Sequence, residues 1–293
     1  MTGLDGFFTE LPTDPHVYAR ERVLCQTEWY PAPVAGEPPP ATFETLLRGR
    51  GGLAEQLVQH GFAHVRLDRA LSNAELIALA AQLGTPQPQF DDRLAEYIED
   101  GVVLDLRLDN PETDDHEWKL LFAENYVMAH SELAGRPPPL QPRFQLFQCV
   151  EPPARDAGGQ TLLVDMAALC ERLGIDHVAV LARTRNTSFT NSPPFIWARD
   201  NRPVISFKDT AAAGFPWQTV AEVDGAEVVN ESIRRLLLGT YDPDHVRGVH
   251  WERGILAVFD NHRWLHARSR GRIPVGRPPR HLKEIRVGGA VPS

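Results

Sequence analysis

Asn125-Tyr126-Val127-Met128-Ala129-His130-Ser131-Glu132 sets an imidazole and a carboxylate two residues apart inside a run of strand-forming residues. Alternate side chains of a strand project to one face, so a strand over 127–132 aims His130 and Glu132 into the same cavity. Such a pair supplies two ligands of a metal site, and a third must come from elsewhere. The strongest candidate is His266, within Asp260-Asn261-His262-Arg263-Trp264-Leu265-His266-Ala267-Arg268. Ligands so far apart in the chain call for strands that fold back on one another around an interior.

The surrounding pattern agrees. Short apolar runs at 102–108, 127–132, 144–150, 161–164, 204–207, 255–259 and 281–287 read as strands separated by turn residues, with helices predicted over 166–173 and 230–238. Many short strands with Pro- and Gly-rich turns describe a mainly β fold with flanking helices. A jelly roll of the cupin-like kind is the version that encloses a ligand between its sheets. Ahead of it, the first forty residues end in Glu37-Pro38-Pro39-Pro40 and predict an extended arm. Helical periodicity follows over 42–59, weakened by Gly49, Gly51 and Gly52, then a strand-like alternation over 62–67. Ser72-Asn73-Ala74-Glu75 matches a capping box that opens a helix ending near Gly84. The expectation is one domain over 1–293, with an arm and helical support in 1–100 and the jelly-roll core in 101–293.

Composition narrows the class of partner. The 293 residues are 42% apolar, enough for a sizeable core, and no uninterrupted apolar run approaches the ~20 residues of a membrane helix. No basic stretch followed by an apolar one opens the chain, which sets the cytoplasm as the expected location. A net charge of -9 argues against a nucleic-acid footprint, which needs clustered Lys and Arg. Cys25, Cys149 and Cys170 are scattered and odd in number, so they read as inert thiols rather than disulfides or metal ligands.

Spacing alone does not single out His130 and Glu132, because His250-Trp251-Glu252 repeats it. That second pair would have to find its third ligand close by, in His262, His266 or His281, whereas several strands intervene between Glu132 and His266. Two imidazoles and a carboxylate that leave coordination positions open are the ligand set of non-haem Fe(II) oxygenases. Such an iron site needs a two-electron reductant, commonly a 2-oxo acid, whose far carboxylate calls for an arginine's planar fork. Arg280 stands 280 − 266 = 14 residues after His266, at the start of the last predicted strand. Arg277 is its rival, set between turn formers.

Gly158-Gly159-Gln160-Thr161, followed by a strand and a helix, resembles the Gly-Gly-x-Thr segment of the taurine dioxygenase and clavaminate synthase superfamily of Fe(II)/2-oxoglutarate-dependent oxygenases. His130-Ser131-Glu132 is similar to that family's first metal motif, and 260–268 resembles its second, in the family's order. The resemblance spans roughly residues 102–287. It implies a double-stranded β-helix, Fe(II) held by His130, Glu132 and His266, and Thr161 and Arg280 holding 2-oxoglutarate. It also implies dioxygen (O2) as the other co-substrate, with release of succinate and carbon dioxide. Glu132 stands where the taurine branch has aspartate, which makes the clavaminate-like branch the closer comparison. Ala267 follows the distal histidine where that family often has glycine. The presence of a carboxylate argues against a halogenase and for hydroxylation of an unactivated C–H.

Substrate recognition is less legible. The loop 189–199 mixes aromatics, amides and an arginine, so Trp197 and Arg199 are candidate substrate contacts, as are Asn125 and Tyr126 beside the metal pair. The expected substrate is a small polar molecule such as a free or modified amino acid, with Arg199 pairing to a carboxylate. Two other readings stand beside it. A metal-binding cupin-type sensor without catalysis leaves Thr161 and Arg280 unexplained, and a hydroxylase of protein side chains needs a peptide groove.

Overall fold

The structure is a computed structural model and describes residues 3–26, 31–49, 51–89, 92–108, 121–154, 156–273 and 275–289. After strand β1 (Asp5–Phe8), Asp14 and Pro15 start a helix, α1 (Pro15–Cys25), in the region where the proline content predicts an extended arm. The Asp14 side chain accepts from the His16 N–H at 3.3 Å, and Pro15 takes a first-turn position where no N–H is required. The proline that suggested extension is thus a helix initiator.

There follow β2 (Pro40–Ala41), α2 (Phe43–Leu47), α3 (Leu53–His60), β3 (Phe62–Leu67) and α4 (Asn73–Leu83). Both bonds of the Ser72/Glu75 capping box are present, and α4 stops at Gly84. Next come β4 (Thr85–Pro86), β5 (Ile98–Glu99), β6 (Val103–Arg107), β7 (Val127–His130), β8 (Phe144–Glu151) and β9 (Thr161–Asp165). Helix α5 (Met166–Leu181) runs past the predicted stop: Gly174, at φ 77°, kinks it without ending it. Then come β10 (Thr184–Asn186), β11 (Ile196–Arg199), β12 (Arg202–Ile205) and β13 (Phe215–Thr219), with β12 two residues earlier than predicted. Helix α6 (Ala226–Thr240), β14 (Arg247–Val249), β15 (Ile255–Asp260), β16 (Trp264–Arg268) and β17 (His281–Gly288) complete the order.

Two sheets face each other. The larger runs β2-β3-β15-β8-β17-β6-β5, with β4 also on β17, and the smaller runs β14-β9-β16-β7. Their pairings are antiparallel apart from β2 with β3. Because β3 pairs with β15, the front of the chain supplies a strand to the core sheet as well as a helical layer.

Strand alternation sorts the apolar residues into three cores. Phe147, Cys149, Phe259 and Leu282 of the large sheet meet Leu163 and Val249 of the small one between the sheets. On the opposite face of the same strands, Leu146, Val258 and Ile285 turn outward onto Leu76, Leu79 and Leu83 of α4. Leu162, Val164, Leu265 and Ala129 on the outer face of the small sheet pack under Leu169, Ile233 and Leu236 of α5 and α6. Each buried Val, Leu, Ile or Phe among them contributes about 1.5–3 kcal/mol by leaving water. The result is two sheets between helical layers, the mainly β jelly roll with flanking helices that the pattern predicts.

A buried polar network ties α1 to the small sheet. Tyr241 Oη donates to Asp209 Oδ2 at 2.7 Å and accepts from the Ala129 N–H at 2.9 Å, one residue before His130. His16 pairs with Glu10 and reaches Asp209 at 3.5 Å, while Arg20 reaches Glu10 at 3.1 Å and Asp209 at 3.8 Å. The N-terminal helix therefore braces the backbone from which His130 projects. Among the described residues, no helix is long and apolar enough to cross a membrane.

Candidate metal centre

Strands β7 and β16 pair with His130 directly opposite His266, and the two rings lie 4.0 Å apart between centroids. Glu132 arrives differently from the expectation. Strand β7 ends at His130, and the chain turns through Leu133 at φ 56°, so Glu132 does not share a strand face with His130. What places it is Asn261, in the turn between β15 and β16: its Oδ1 accepts from the Glu132 N–H at 2.7 Å, and its Nδ2 donates to the Glu132 carbonyl at 3.2 Å. Side-chain amide and backbone thus pin the acid where a strand would not.

Glu132 Oε2 then lies 3.6 Å from His130 Nε2 and 3.8 Å from His266 Nε2. One ligand atom from each of the three falls within 4.8 Å of the others, and this is the group with metal-holding geometry among the described residues. The donor chemistry fits a divalent ion. His130 Nδ1 donates to the Met128 carbonyl at 2.8 Å, which orients the ring with Nε2 toward the cluster. Burial, reinforced by His130, holds the His266 imidazole well below the usual histidine range, hence neutral. Burial alone would raise the Glu132 carboxyl, but Arg286, with its guanidinium 2.8 Å from Oε1, and the two histidines hold it far below the usual carboxylate range.

The rival pair separates. Glu252 forms an ion pair with Arg66, and His250 Nε2 meets the Pro31 carbonyl at 2.9 Å. Neither belongs to the metal-holding group.

Arg280 immediately precedes β17 and is 5% exposed. Burial pulls its guanidinium down to about 10, and among the described residues no carboxylate lies within ion-pair distance of it. The Gly158-Gly159 turn, at φ 68° and 73°, packs against its stem: a Cβ on Gly159 would sit 3.5 Å from Arg280 Cδ. Thr161 is buried and its Oγ1 accepts from Trp251 Nε1 at 3.0 Å. A buried cation without a protein counter-ion is a fit for a carboxylate ligand.

The candidate substrate residues spread out. Asn125 caps its own neighbour, its Oδ1 accepting from the Tyr126 N–H at 2.9 Å, and Tyr126 packs into the core under α5 and α6. Trp197 and Arg199 are set by the β11–β12 hairpin, whose Asp200-Asn201 turn has positive φ at both residues. They gather around His262 and not the metal-ligand group: Trp197 meets its ring edge-on at 5.3 Å, and Arg199 Nη1 donates to Nδ1 at 3.3 Å.

Burial, with Arg143 and Arg199 beside it, pushes His262 down to about 3. The unfolded imidazole titrates near ~6.5, so below that pH the unfolded chain takes a proton the native one refuses. Stability is therefore expected to fall by about 1–2 kcal/mol between pH 7 and pH 5 from this residue. Urea melts at the two pH values measure it, with a smaller difference in His262→Gln.

The sequence reading passed over Gln145, Arg268, Glu284 and Arg286. Gln145 Nε2 comes to 3.5 Å from Glu132 Oε2, and Arg268 holds the 121–125 segment through the carbonyls of Ala123 (2.9 Å) and Asn125 (2.7 Å). The signal for Glu284 and Arg286 was present: they share the parity of Arg280 in one strand, hence its face. The three thiols are free, and burial pushes Cys149 and Cys170 up to about 12, as inert groups.

Comparison with known proteins places this geometry. Tyrosine isonitrile desaturase of Pseudomonas aeruginosa is 25% identical over 206 residues, covering 64% of this chain and 66% of that protein, just under two thirds of its length. The crystal structure of the PvcB protein from Pseudomonas aeruginosa superposes with a TM-score of 0.60 at 20% identity, over 88% of this chain and 89% of that one. Asparagine oxygenase in complex with Fe(II), 2S,3S-3-hydroxyasparagine and succinate gives 0.60 at 18% identity, over 84% and 79%. At these identities the two structures speak for the fold. The family model described as taurine catabolism dioxygenase TauD, TfdA family matches residues 33–285, which include both histidines, Glu132, Thr161 and Arg280. The chain belongs to the TauD, TfdA dioxygenase family of Fe(II)- and 2-oxoglutarate-dependent oxygenases.

Proposed function

We propose that this chain hydroxylates an unactivated C–H of a small polar metabolite, a free or modified amino acid, using Fe(II), 2-oxoglutarate and O2 and releasing succinate and carbon dioxide. The observation that carries the reading is the convergence of His130, Glu132 and His266 in an interior that also holds Arg280, a buried cation with no described counter-ion. When bound, iron supplies the activation of dioxygen at the expense of the 2-oxo acid. The protein's own tasks are positional. His130 and His266 offer ring nitrogens and Glu132 a carboxylate kept ionised by Arg286; Arg280 and Thr161 anchor the far carboxylate of the co-substrate. Phe147, Phe259 and Trp251 keep water from the interior in which they are buried.

The relatives support an amino-acid-derived substrate and leave two outcomes to distinguish, since one is named as a desaturase and another is bound to a hydroxylated amino acid. Under anaerobic conditions Fe(II) and 2-oxoglutarate together should give a visible charge-transfer band, and a screen of amino acids and related metabolites should find substrate-stimulated succinate formation. Mass spectrometry of the product separates a gain of oxygen from a loss of two hydrogens. A wild-type protein with no band overturns the reading. Within it, Arg199 is assigned to the substrate carboxylate from its place beside His262, outside the metal-ligand group, so Arg199→Ala should raise the substrate KM by about 10-fold; an unchanged KM removes that assignment.

A further inference from the structure

Arg280, Leu282, Glu284 and Arg286 share one face of the chain running into β17, because alternate residues of a strand point the same way. Leu282 lies in the cluster with Phe147, Leu163, Trp251 and Phe259, so that face looks into the space between the sheets. Glu284 is 6% exposed there, with Leu104 and Phe147 as its cross-strand neighbours. Its one ion-pair neighbour among the described residues is Arg286, whose Nε is 3.5 Å from Oε1. That guanidinium already holds Glu132 Oε1 at 2.8 Å through Nη2. Glu284 Oε1 is buried and, among the described residues, accepts no hydrogen bond.

Buried carboxyl groups are nearly always satisfied, because an unpaired one forfeits its hydration for nothing. Burial pushes Glu284 up to about 7, against the pull of Arg286. A carboxylate serving only to clamp Arg286 would close the 3.5 Å gap into a hydrogen bond; here Glu284 Oε1 is left without one. The group is better explained as one half of a pair whose other half arrives with the ligand.

We propose that Glu284 receives a cationic nitrogen of the substrate, an unmasked ammonium or guanidinium, and so restricts the enzyme to basic metabolites. The inference rests on the oxygenase reading and narrows its substrate class. Arg280 and Glu284 stand four residues apart, about 13 Å along an extended strand, far enough to serve separate ligands. The anionic co-substrate takes the first and the cationic substrate the second, nearer the Arg286 that supports Glu132. A substrate whose nitrogen is masked, as in an isonitrile, has nothing to offer the carboxylate.

The test uses the protein loaded with Fe(II) and 2-oxoglutarate and challenged with the standard amino acids, agmatine and putrescine, each beside its fully N-acylated counterpart. Succinate formation is the readout. At least one basic compound is expected to stimulate it, the acylated counterpart is not, and Glu284→Gln is expected to raise the KM of the basic compound at least about 10-fold while the charge-transfer band persists. The proposal is overturned if no basic compound stimulates turnover, if acylated forms serve equally, or if Glu284→Gln leaves KM where it was. Loss of the band in Glu284→Gln alone also overturns it, because Glu284 then acts through Arg286 on Glu132. Absence of the band in the wild type instead overturns the oxygenase reading beneath it.

Discussion

Glu132→Ala and His266→Ala are each expected to lose Fe(II) and, with it, substrate-stimulated succinate formation by more than about 1,000-fold, beyond the roughly 10- to 100-fold that loss of an outer partner of a metal ligand costs. The reason lies in how few donors converge. His130, Glu132 and His266 form the metal-holding group among the described residues, so removing one leaves two protein ligands and a hole. The two variants should differ in stability. Ala at 132 releases Arg286 from the carboxylate it faces at 2.8 Å, leaving a half-buried cation short of its partner, and should lower the urea midpoint of the metal-free protein. Ala at 266 removes a neutral ring from beside Phe259 and costs packing alone. Iron content by metal analysis and turnover by succinate assay check the first part. Undiminished iron in either variant would mean that the ligand set is wrong. A chelator should abolish turnover in the wild type and added Fe(II) restore it.

Arg280→Ala should raise the KM for 2-oxoglutarate by at least about 100-fold, the scale of about 3–5 kcal/mol that truncating one partner of a buried charge pair costs. Arg280 is buried beside the Gly158-Gly159 turn and has no described carboxylate to pair with, so the energy of its desolvation is recovered when a ligand carboxylate arrives. Arg268, which shares the region and is itself pulled down to about 9, cannot substitute, because its fork is committed to the backbone carbonyls of Ala123 and Asn125. Arg280→Lys should recover only part of the loss, since an ammonium lacks the planar two-point grip. Titration of the charge-transfer band with 2-oxoglutarate measures the change directly. A KM within a few-fold of wild type would move the co-substrate's anchor elsewhere, and a variant that lost iron as well would be judged by the band at saturating metal.

The jelly roll was readable because it is written in period-two alternation, which survives without knowledge of partners: Leu146 and Phe147, Val258 and Phe259, Leu282 and Ile285 each divide between two cores. His266 was read from the resemblance of 260–268 to a metal motif and not from alternation, since no strand was predicted where β16 forms. Glu132 was found on a wrong premise. The predicted strand stops at His130, and the carboxylate is brought in by Asn261, a tertiary hydrogen bond across 129 residues that no local pattern encodes. The helix at 15–25 went unread because the proline content of the first forty residues pointed to an extended arm, whereas Pro15 starts a helix; the helix predicted over 166–173 continues because Gly174 kinks it without ending it. Trp197 and Arg199 could be placed on a hairpin by Asp200-Asn201, but their convergence on His262 depends on a residue 63 positions from Arg199. Glu284 had the legible parity of its strand, yet a glutamate in a lysine- and arginine-rich strand reads as surface until the opposing sheet is known.

The large sheet places its last strand in the middle: β17 lies between β8 and β6, with β15 beyond β8. During synthesis, every strand that β17 joins leaves the ribosome before it does. Until residues 281–288 emerge, β8 and β6 each present an unpaired edge, and the interior face that will hold Arg280, Glu284 and Arg286 does not exist. His130 and His266 can meet across β7 and β16 before that point, but Glu132 has no Arg286 to face. Assembly of the site thus waits on β17, which closes two open edges at once.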